Sequence, residues 1–287
     1  MAQHPLIEHI ARFFRSRSGQ NDVSASEVHT ALRRIMREMS HEDRVVFRNL
    51  ARLIYMNALN WNYNAKSNGE AWLIGRLASD LVRVFDVGAN EGNWTALVLS
   101  TASKAIVDAF EPAPDIAARF ESRFAGESRL TVNVHGLFDR ACQLHLHLNA
   151  ASSEYTSIWP ARNKAPVITV RATTGDAYMA ARGVERINLL KIDTEGAEKF
   201  VIDGFAEAFR RRAIDVVQLE YGPANVSSRW LLTDMHGFFS VSGYVLGRLY
   251  PDCVDFKNYT VDDETFIGGN YVACLADRAD LVLALKG

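Results

Sequence analysis

The sequence lacks several features that would assign it to a specialised class of protein. Its three cysteines, Cys142, Cys253 and Cys274, form no Cys-x-x-Cys pair, and an odd number argues against a disulfide scaffold. No apolar run approaches the length of a transmembrane helix or of a signal-peptide centre. With 32 basic and 34 acidic residues the net charge is −2, so no general attraction to nucleic acid is expected. We therefore expect a cytoplasmic protein with no nucleic-acid partner and no transmembrane segment.

The pattern of apolar residues changes near residue 80. Before that point they recur at helical spacing, and Ser24 and Ser40 are candidate N-caps. From residue 81 onward, short apolar strands alternate with helices, which is typical of βαβ units around a doubly wound, mostly parallel sheet. The sequence thus predicts an N-terminal helical region over 1–80 and an α/β domain over 81–287. The predicted helices are 6–15, 25–39, 42–59 and 70–78, and the predicted parallel strands are 82–87, 105–110, 130–135, 187–192 and 214–220.

An insertion lies between the third of these strands and the fourth. Its segments 143–148 and 167–171 alternate apolar and polar residues, which predicts a hairpin-like addition. His145 and His147 share one face of the first segment, but no carboxylate or cysteine lies at metal-ligand spacing from them. We interpret them as an exposed polar face.

The most informative segment is 84–94. An apolar run ends in Asp86 and continues through Gly88, Asn90 and Gly92, which predicts a buried strand, a glycine turn and the start of a helix. Asn90 stands where a dinucleotide-binding motif has its second glycine. A carboxylate at the strand end disfavours pyrophosphate and suits an amino-acid ammonium group. S-adenosyl-L-methionine (SAM) carries such a group.

Glu111, followed by Pro112, ends the next strand. Its separation from the glycine turn is that at which doubly wound folds place a ribose-binding acid. It could accept hydrogen bonds from both ribose hydroxyls. The alternative is a carboxylate that only stabilises the start of a Pro-initiated helix. Because the glycine turn lies upstream, we favour the ribose role.

A second acidic motif follows the strand 187–192. Asp193 and Glu195 should lie on the same edge of the sheet as Asp86 and Glu111, where ligands of such sheets bind. Several carboxylates on one edge repel one another, and Lys191 is a candidate partner that neutralises them.

These segments together resemble the FkbM family of SAM-dependent O-methyltransferases, from about Trp61 to Leu275. At 173–176 the sequence Thr-Thr-Gly-Asp departs from the family's Thr-Leu-Asp-Asp, which leaves that loop's geometry open although Asp176 keeps an acid. The resemblance does not extend to the first sixty residues. The segments that carry the resemblance are 86–93, Phe110-Glu111-Pro112, Lys191-Ile-Asp-Thr-Glu-Gly-Ala-Glu198, Asn68-Gly69-Glu70 and Asn270-Tyr-Val-Ala273.

The resemblance implies a seven-stranded Rossmann-like methyltransferase sheet with an antiparallel last strand. It implies SAM as the cofactor, with Asp86 near the methionine ammonium, Glu111 on the ribose, and Asn68 and Glu70 closing over the methionine end. Leu137 and Phe138 lie where the adenine ring sits, although Phe138 could equally belong to the core. The expected cofactor-binding residues are Asn68, Glu70, Asp86, Gly88, Asn90, Gly92, Glu111, Leu137 and Phe138.

The implied reaction is methyl transfer to a hydroxyl, on a sugar of a bacterial surface glycan or glycolipid. A base near that hydroxyl is required, and the candidates are Asp193, Glu195 and His236. Spacing does not separate such a base from a divalent metal held by Asp193, Glu195 and Glu220, and we favour a metal-free site. The candidate substrate-binding residues are Glu220, Tyr221 and Asn225.

Two other functions stay open at this stage, a nicotinamide-dependent oxidoreductase on a Rossmann-like sheet and a non-catalytic SAM-binding module. The helical N-terminal region could cover the acceptor, form a homodimer contact, or dock to a membrane-bound glycan assembly.

Overall fold

The computed structural model describes residues 25–149, 156–160 and 166–287. The helices are α1 (Ala25–Glu38), α2 (His41–Ala58), α3 (Glu70–Leu77), α4 (Asn93–Thr101), α5 (Pro114–Arg123), α6 (Gly175–Arg182), α7 (Glu198–Asp203), α8 (Ala206–Arg210), α9 (Asn225–Ser228), α10 (Leu232–Val241) and α11 (Ala279–Leu285). The strands are β1 (Arg83–Val87), β2 (Ile106–Phe110), β3 (Leu130–Asn133), β4 (Gly136–Leu137), β5 (Cys142–His147), β6 (Val167–Thr173), β7 (Ile187–Ile192), β8 (Ile214–Glu220), β9 (Tyr244–Leu249), β10 (Val254–Phe256) and β11 (Asn270–Leu275).

The chain divides into two compact units, one ending at Leu59 and one beginning at Asn60. The second unit therefore begins ahead of the boundary expected at residue 81. The reason is that α3 contributes fully buried Leu73 and Ile74 to the core of the second unit. The predicted helix 6–15 and Ser24 lie outside the described residues.

The first unit contributes α1 and α2 to the described structure. Ser40 is the N-cap of α2, as predicted, and its hydroxyl accepts the backbone N–H of Asp43 at 3.1 Å. Among the helices that the structure describes, none combines the length and the apolar character of a membrane span.

The second unit is built on an eight-stranded sheet in the order β10-β9-β11-β8-β7-β1-β2-β3. Strands β1, β2, β3, β7 and β8 are parallel, and β11 runs antiparallel to both of its neighbours. The mostly parallel α/β sheet with an antiparallel last strand is thus confirmed. The sheet has one strand more than the seven expected, because the short strand β10 folds back on β9 and extends the edge.

Both faces of the sheet are covered, which explains the continuous apolar runs of its central strands. Successive residues of β7 point to opposite faces, so Leu189 packs with Val84 and Val107 on one side. Leu190 packs with Phe85 on the other side. All five residues are fully buried.

The insertion forms a separate three-stranded sheet in the order β4-β6-β5. Strands β5 and β6 pair antiparallel from Cys142 opposite Ala172 to His147 opposite Val167, which confirms the hairpin-like addition. His145 lies on the exposed face, where its Nδ1 is 3.1 Å from the hydroxyl of Thr169.

Candidate functional site

A cavity of about 360 Å³ lies at the carboxyl edge of the parallel strands. The strand register places Val87 beside both Phe110 and Ile192, so the residues that follow these strands meet at one edge. The cavity is lined by these sequence-predicted polar or glycine residues: Asn68, Glu70, Gly88, Asn90, Glu111, Asp193, Glu195 and Glu220.

The glycine turn after β1 depends on close contact between two backbones. Gly88 has φ +80°, and a Cβ there would lie 1.8 Å from the carbonyl oxygen of Asp193. This position therefore excludes every side chain and holds the loop after β1, residues 88–92, against the loop after β7, residues 193–197. These are the two acidic loops. Gly92 also has a left-handed φ, but it contacts the ring of Phe120 and is not among the described residues that line the cavity.

Glu111 connects the end of β2 to the glycine turn. Its Oε2 accepts the backbone N–H of Asn90 at 3.0 Å, and its Oε1 accepts that of Ala113 at 2.8 Å. Burial raises the pKa of this carboxyl to about 7, against the lowering effect of the two N–H groups, and the charge of Asp86 adds to the rise. Glu111 thus has both oxygens fixed in orientation, and it titrates in the neutral range.

Asp86 lies beneath the cavity and does not line it. Its side chain is fully buried, and it accepts a hydrogen bond from the Thr95 hydroxyl at 2.7 Å. The ammonium of Lys191 lies 3.5 Å from Asp86 Oδ1 and 3.1 Å from Asp193 Oδ2. Burial opposes the charge of Lys191, but the carboxylates of Asp193, Asp86 and Glu70 outweigh it and raise the lysine pKa. Asp86 therefore acts on the cavity through Lys191, which does line it.

Asn68 and Glu70 form a buried pair at one end of the cavity. The Asn68 amide donates to Glu70 Oε2 at 2.9 Å, and the backbone N–H of Glu70 donates back to Asn68 Oδ1 at 3.0 Å. Gln218 of β8 donates to Glu70 Oε1 at 2.6 Å. This carboxylate is thus held in position by neutral donors, and its charge also acts on Lys191.

Three carboxylates meet where β7 and β8 end. One oxygen each from Asp193, Glu195 and Glu220 lies within 4.8 Å of the others, and all three side chains are half-buried. Glu195 adopts a left-handed backbone conformation with φ 52°. Its loop is held by Glu198, whose Oε1 accepts the N–H groups of Thr194 and Gly196 at 3.0 Å. Glu198 is therefore structural in this loop.

Part of the cavity lining is apolar. Leu137 and Phe138 line it, together with Leu144 and Leu146 from β5 of the small sheet. Phe138 also stacks on Phe200 with ring centroids 4.6 Å apart. Phe138 therefore belongs to the core and also lines the cavity. A core role and a position beside the adenine ring, the two interpretations left open by the sequence, are thus compatible.

Comparison with known families matches the methyltransferase FkbM domain to residues 86–246, more than half of the 287 residues. The chain belongs to the FkbM methyltransferase family. The matched range contains both acidic loops and the glycine turn. Among curated proteins, no sequence matches this chain.

Solved structures of similar fold include a methyltransferase FkbM from Methylobacillus flagellatus KT, with 16% identity and a TM-score of 0.44 over 68% of this chain. This chain spans 44% of the length of that protein. An rRNA methylase from Streptococcus thermophilus has 10% identity and a TM-score of 0.39, over 72% of this chain and 93% of that one. A precorrin-6y C5,15-methyltransferase from Geobacter metallireducens GS-15 has 12% identity and a TM-score of 0.39, over 71% and 87%.

Three of the sequence-predicted residues of this FkbM-family methyltransferase lie away from the cavity. Tyr221 is fully buried and hydrogen-bonded to Glu264, and Asn225 is buried with its Oδ1 accepting the N–H of Gly222. His236 packs against the ring of Tyr259, and burial lowers its pKa. None of the three is among the described residues that line the cavity. Tyr221 follows β8 directly and packs into the core, Asn225 is buried at the start of α9, and His236 lies half-buried on α10.

The sequence interpretation missed residues that come from outside the motifs. Tyr63 lines the cavity, with its ring 5.6 Å from that of Trp61. Ser157 also lines it, and its hydroxyl donates to the carbonyl of Glu195 at 2.7 Å, while Trp159 donates to the carbonyl of Gly196 at 3.0 Å. The aromatic pair just before the Asn-Gly-Glu motif was a usable signal for Tyr63. No local pattern indicated Ser157.

Proposed function

We propose that this methyltransferase transfers the methyl group of SAM to a hydroxyl, with a sugar of a bacterial surface glycan or glycolipid as the acceptor. The observation that carries the proposal is that Asp193, Glu195 and Glu220 lie together in the cavity that Glu111 also lines. Such carboxylates provide a destination for a hydroxyl proton next to the cofactor-binding part of the cavity.

The donor and acceptor groups of the wall fit SAM at several points. Glu111 has fixed oxygens that can accept ribose hydroxyls. The Glu70 carboxylate suits an ammonium group, and the apolar wall around Leu137 suits an adenine ring. A volume of about 360 Å³ is in the range of small-molecule sites.

The chemistry places two demands on the protein, alignment and proton removal. When bound, SAM supplies a methyl carbon already activated by its sulfonium. The acceptor oxygen forms the new C–O bond as the S–C bond breaks and its electron pair stays on sulfur, and the hydroxyl proton passes to Asp193 or Glu195. A base within hydrogen-bond reach contributes roughly 10²–10⁴ in rate.

The sugar acceptor is proposed from the family resemblance and from the polarity of the wall. Tyr63, Asn62 and Asn270 line the same cavity as the three carboxylates and contribute hydroxyl and amide groups. A polyhydroxylated ring can exchange hydrogen bonds with such groups, and the ring of Tyr63 adds an apolar surface.

We expect the affinity for the adenosine part of the cofactor to fall as the pH drops below neutrality. The Glu111 carboxyl, with a pKa of about 7, must ionise to accept two ribose hydroxyls. Protonation therefore opposes binding, and affinity should be about tenfold lower at pH 6 than at pH 8. The measurement is calorimetric titration with 5′-methylthioadenosine, which keeps the ribose but lacks an ionising amino-acid group. Glu111→Gln should bind weakly with a flat pH profile, and an unchanged profile in this variant would assign the titration to another group.

The proposed function is tested first by ligand binding and then by turnover. We expect SAM and S-adenosylhomocysteine (SAH) to bind with one site per chain and NAD⁺ not to bind. Binding should weaken at least tenfold in Glu111→Gln and stay unchanged in the surface variant Glu207→Gln. Radiolabelled SAM with glycan and glycolipid acceptors then tests transfer. NAD⁺ binding alone would favour an oxidoreductase, and SAH binding without transfer to any hydroxyl acceptor would favour a non-catalytic module.

A further inference from the structure

One candidate base of the cavity, Glu195, has a backbone conformation that is unusual for its residue type. Its φ is 52°, in the left-handed region that residues with a Cβ rarely adopt. Such a conformation persists only where surrounding contacts hold it, and it is often found at functional sites. Because Glu195 lines the cavity, the contacts that hold its backbone also determine where its carboxylate lies.

The peptide group that follows Glu195 is hydrogen-bonded at both of its ends. Its carbonyl oxygen accepts the hydroxyl of Ser157 at 2.7 Å. Its N–H, which belongs to Gly196, donates to Oε1 of Glu198 at 3.0 Å. Rotation of this peptide group would break both hydrogen bonds. The two bonds together therefore oppose any change in the backbone angle ψ of Glu195.

The next peptide group is held at both ends as well. The carbonyl oxygen of Gly196 accepts the indole N–H of Trp159 at 3.0 Å, and the N–H of Ala197 donates to the carbonyl oxygen of Thr194 at 3.4 Å. This second hydrogen bond closes a turn whose two central residues, Glu195 and Gly196, both have positive φ. A Cβ on Gly196 would lie 2.9 Å from Trp159 Nε1, so the glycine leaves the space that the indole occupies.

Ser157 and Trp159 reach this turn from a segment that is distant in sequence and attached elsewhere. The backbones of His147, at the end of β5, and Ser157 exchange two hydrogen bonds, at 2.8 and 3.3 Å. The Ser157 hydroxyl also accepts the backbone N–H of Trp159 at 3.2 Å, which fixes the two donors relative to each other. The small sheet thus presents a hydroxyl and an indole N–H to the loop after β7.

We propose that Ser157 and Trp159 are positioning residues for Glu195, and that they hold its carboxylate beside those of Asp193 and Glu220. One oxygen of each of the three carboxylates lies within 4.8 Å of the others. A rotation of the turn that displaced Glu195 would separate it from this group. The small sheet therefore takes part in the reaction through Ser157 and Trp159, although none of the candidate bases lies on it.

The effect on catalysis, unlike the positioning itself, rests on the proposed transfer to a hydroxyl. In that reaction a base must lie within hydrogen-bond reach of the acceptor hydroxyl. A misplacement of about 1 Å can cost about 10²-fold in rate. We therefore expect the loss of either donor to lower kcat about tenfold or more, with unchanged affinity for SAH and no matching rise in the KM for SAM.

The test uses variants of the full chain that remove one donor at a time. Ser157→Ala lacks the hydroxyl, and Trp159→Phe keeps an aromatic ring but lacks the indole N–H. Ser157→Thr retains the hydroxyl and should behave as the unaltered protein does. Ser100→Ala is the matched control, because it removes an exposed hydroxyl that donates to the carbonyl oxygen of Leu97 at 3.0 Å within α4. Thermal midpoints within about 4 °C of that of the unaltered protein are expected and check that each variant folds.

The first measurement reports the position of Glu195 without any turnover. Burial raises the pKa of the Glu220 carboxyl. Further contributions come from the charges of Asp193, Glu195 and Glu198, which raise this pKa, and of Lys191, which lowers it. When Glu195 moves away, the pKa of Glu220 should therefore fall.

NMR of protein labelled at the side-chain carboxyl carbon of glutamate measures this pKa across a pH series. The signal of Glu220 is assigned by its absence in Glu220→Gln. We expect a lower Glu220 pKa in Ser157→Ala and in Trp159→Phe than in the unaltered protein. Ser157→Thr and Ser100→Ala should match the unaltered protein. The second measurement is the rate of transfer from radiolabelled SAM in the same variants, beside calorimetric titration with SAH.

Two outcomes would overturn the positioning role. One is a Glu220 pKa that is the same in Ser157→Ala, in Trp159→Phe and in the unaltered protein, which would show that Glu195 keeps its place without these donors. The other is a loss of SAH affinity in Ser157→Ala that accounts for all of the lost rate, which would show that Ser157 acts on the cofactor instead. Absence of transfer from SAM to any hydroxyl would reject the proposed function, and the pKa comparison would still decide the positioning of Glu195.

Discussion

Replacing Gly88 with alanine is expected to lower the free energy of unfolding by about 4 kcal/mol or more, among the largest effects of a single added methyl group. The added Cβ would lie 1.8 Å from the carbonyl oxygen of Asp193 and 2.8 Å from its carbonyl carbon. Backbone atoms on both sides cannot move apart without separating the two acidic loops. Denaturant unfolding followed by circular dichroism measures the loss, and SAH titration should show little binding in the folded fraction.

Gly126→Ala is the matched control for this prediction. Gly126 also has a left-handed φ, +87°, but a Cβ there meets nothing within 4 Å. It therefore carries only the cost of a left-handed backbone, about 1–2 kcal/mol, and SAH binding should be unchanged. Equal losses of stability in the two variants would show that backbone strain, rather than contact with Asp193, is what prevents a side chain at position 88.

Replacing Asp86 with asparagine should lower the free energy of unfolding by about 3 kcal/mol, the low end of the range for breaking a buried ion pair. The variant leaves the buried ammonium of Lys191 with Asp193 as its main partner, and the Asp193 side chain is 39% exposed. SAH affinity should fall as well, because Lys191 lines the cavity and loses one of the groups that orient it. Denaturant unfolding and calorimetry measure the two effects.

A surface-pair variant and a double variant test whether the uncompensated charge of Lys191 causes the loss of stability in Asp86→Asn. Asp203→Asn removes a carboxylate from an exposed i,i+4 pair with Lys199, and should lower stability by about 0.5 kcal/mol or less. Adding Lys191→Met to Asp86→Asn removes the uncompensated charge, so the double variant should be more stable than Asp86→Asn alone. Loss of SAH binding with unchanged stability would instead indicate that Asp86 acts on the cofactor itself, in keeping with the predicted position near the methionine ammonium.

The parallel strands and their terminal motifs could be predicted because each is encoded by a local pattern. The predicted strands 187–192 and 214–220 coincide with β7 and β8, since a strand buried on both faces is a continuous apolar run with distinct ends. The carboxyl ends of parallel strands share one edge of the sheet, so Glu111, Asp193 and Glu220 could be expected to meet there. All three line the same cavity.

The direction in which a side chain points after a strand could not be predicted in the same way. Asp86, at the fourth position of β1, points into the protein and reaches the cavity only through Lys191. Tyr221 and His236 follow β8 in sequence, yet Tyr221 packs into the core and His236 lies half-buried on α10 against the ring of Tyr259. Tyr63 and Ser157 reach the cavity from segments without a strand or helix pattern of their own. In each case the outcome depends on packing between segments distant in sequence, which period and spacing do not encode.

By itself, the sequence determined the fold class, the family and the edge of the sheet at which the cavity lies, because apolar periodicity and the residues at strand ends are local properties of the chain. Only the tertiary structure decided which carboxylates share the cavity, because that depends on the register of β7 against β8 and on the left-handed turn at Glu195. It also decided the partners of Lys191 and the burial that shifts the pKa values of Glu111 and Glu220. Desolvation and charge interaction act through space, so residues far apart in the sequence set them.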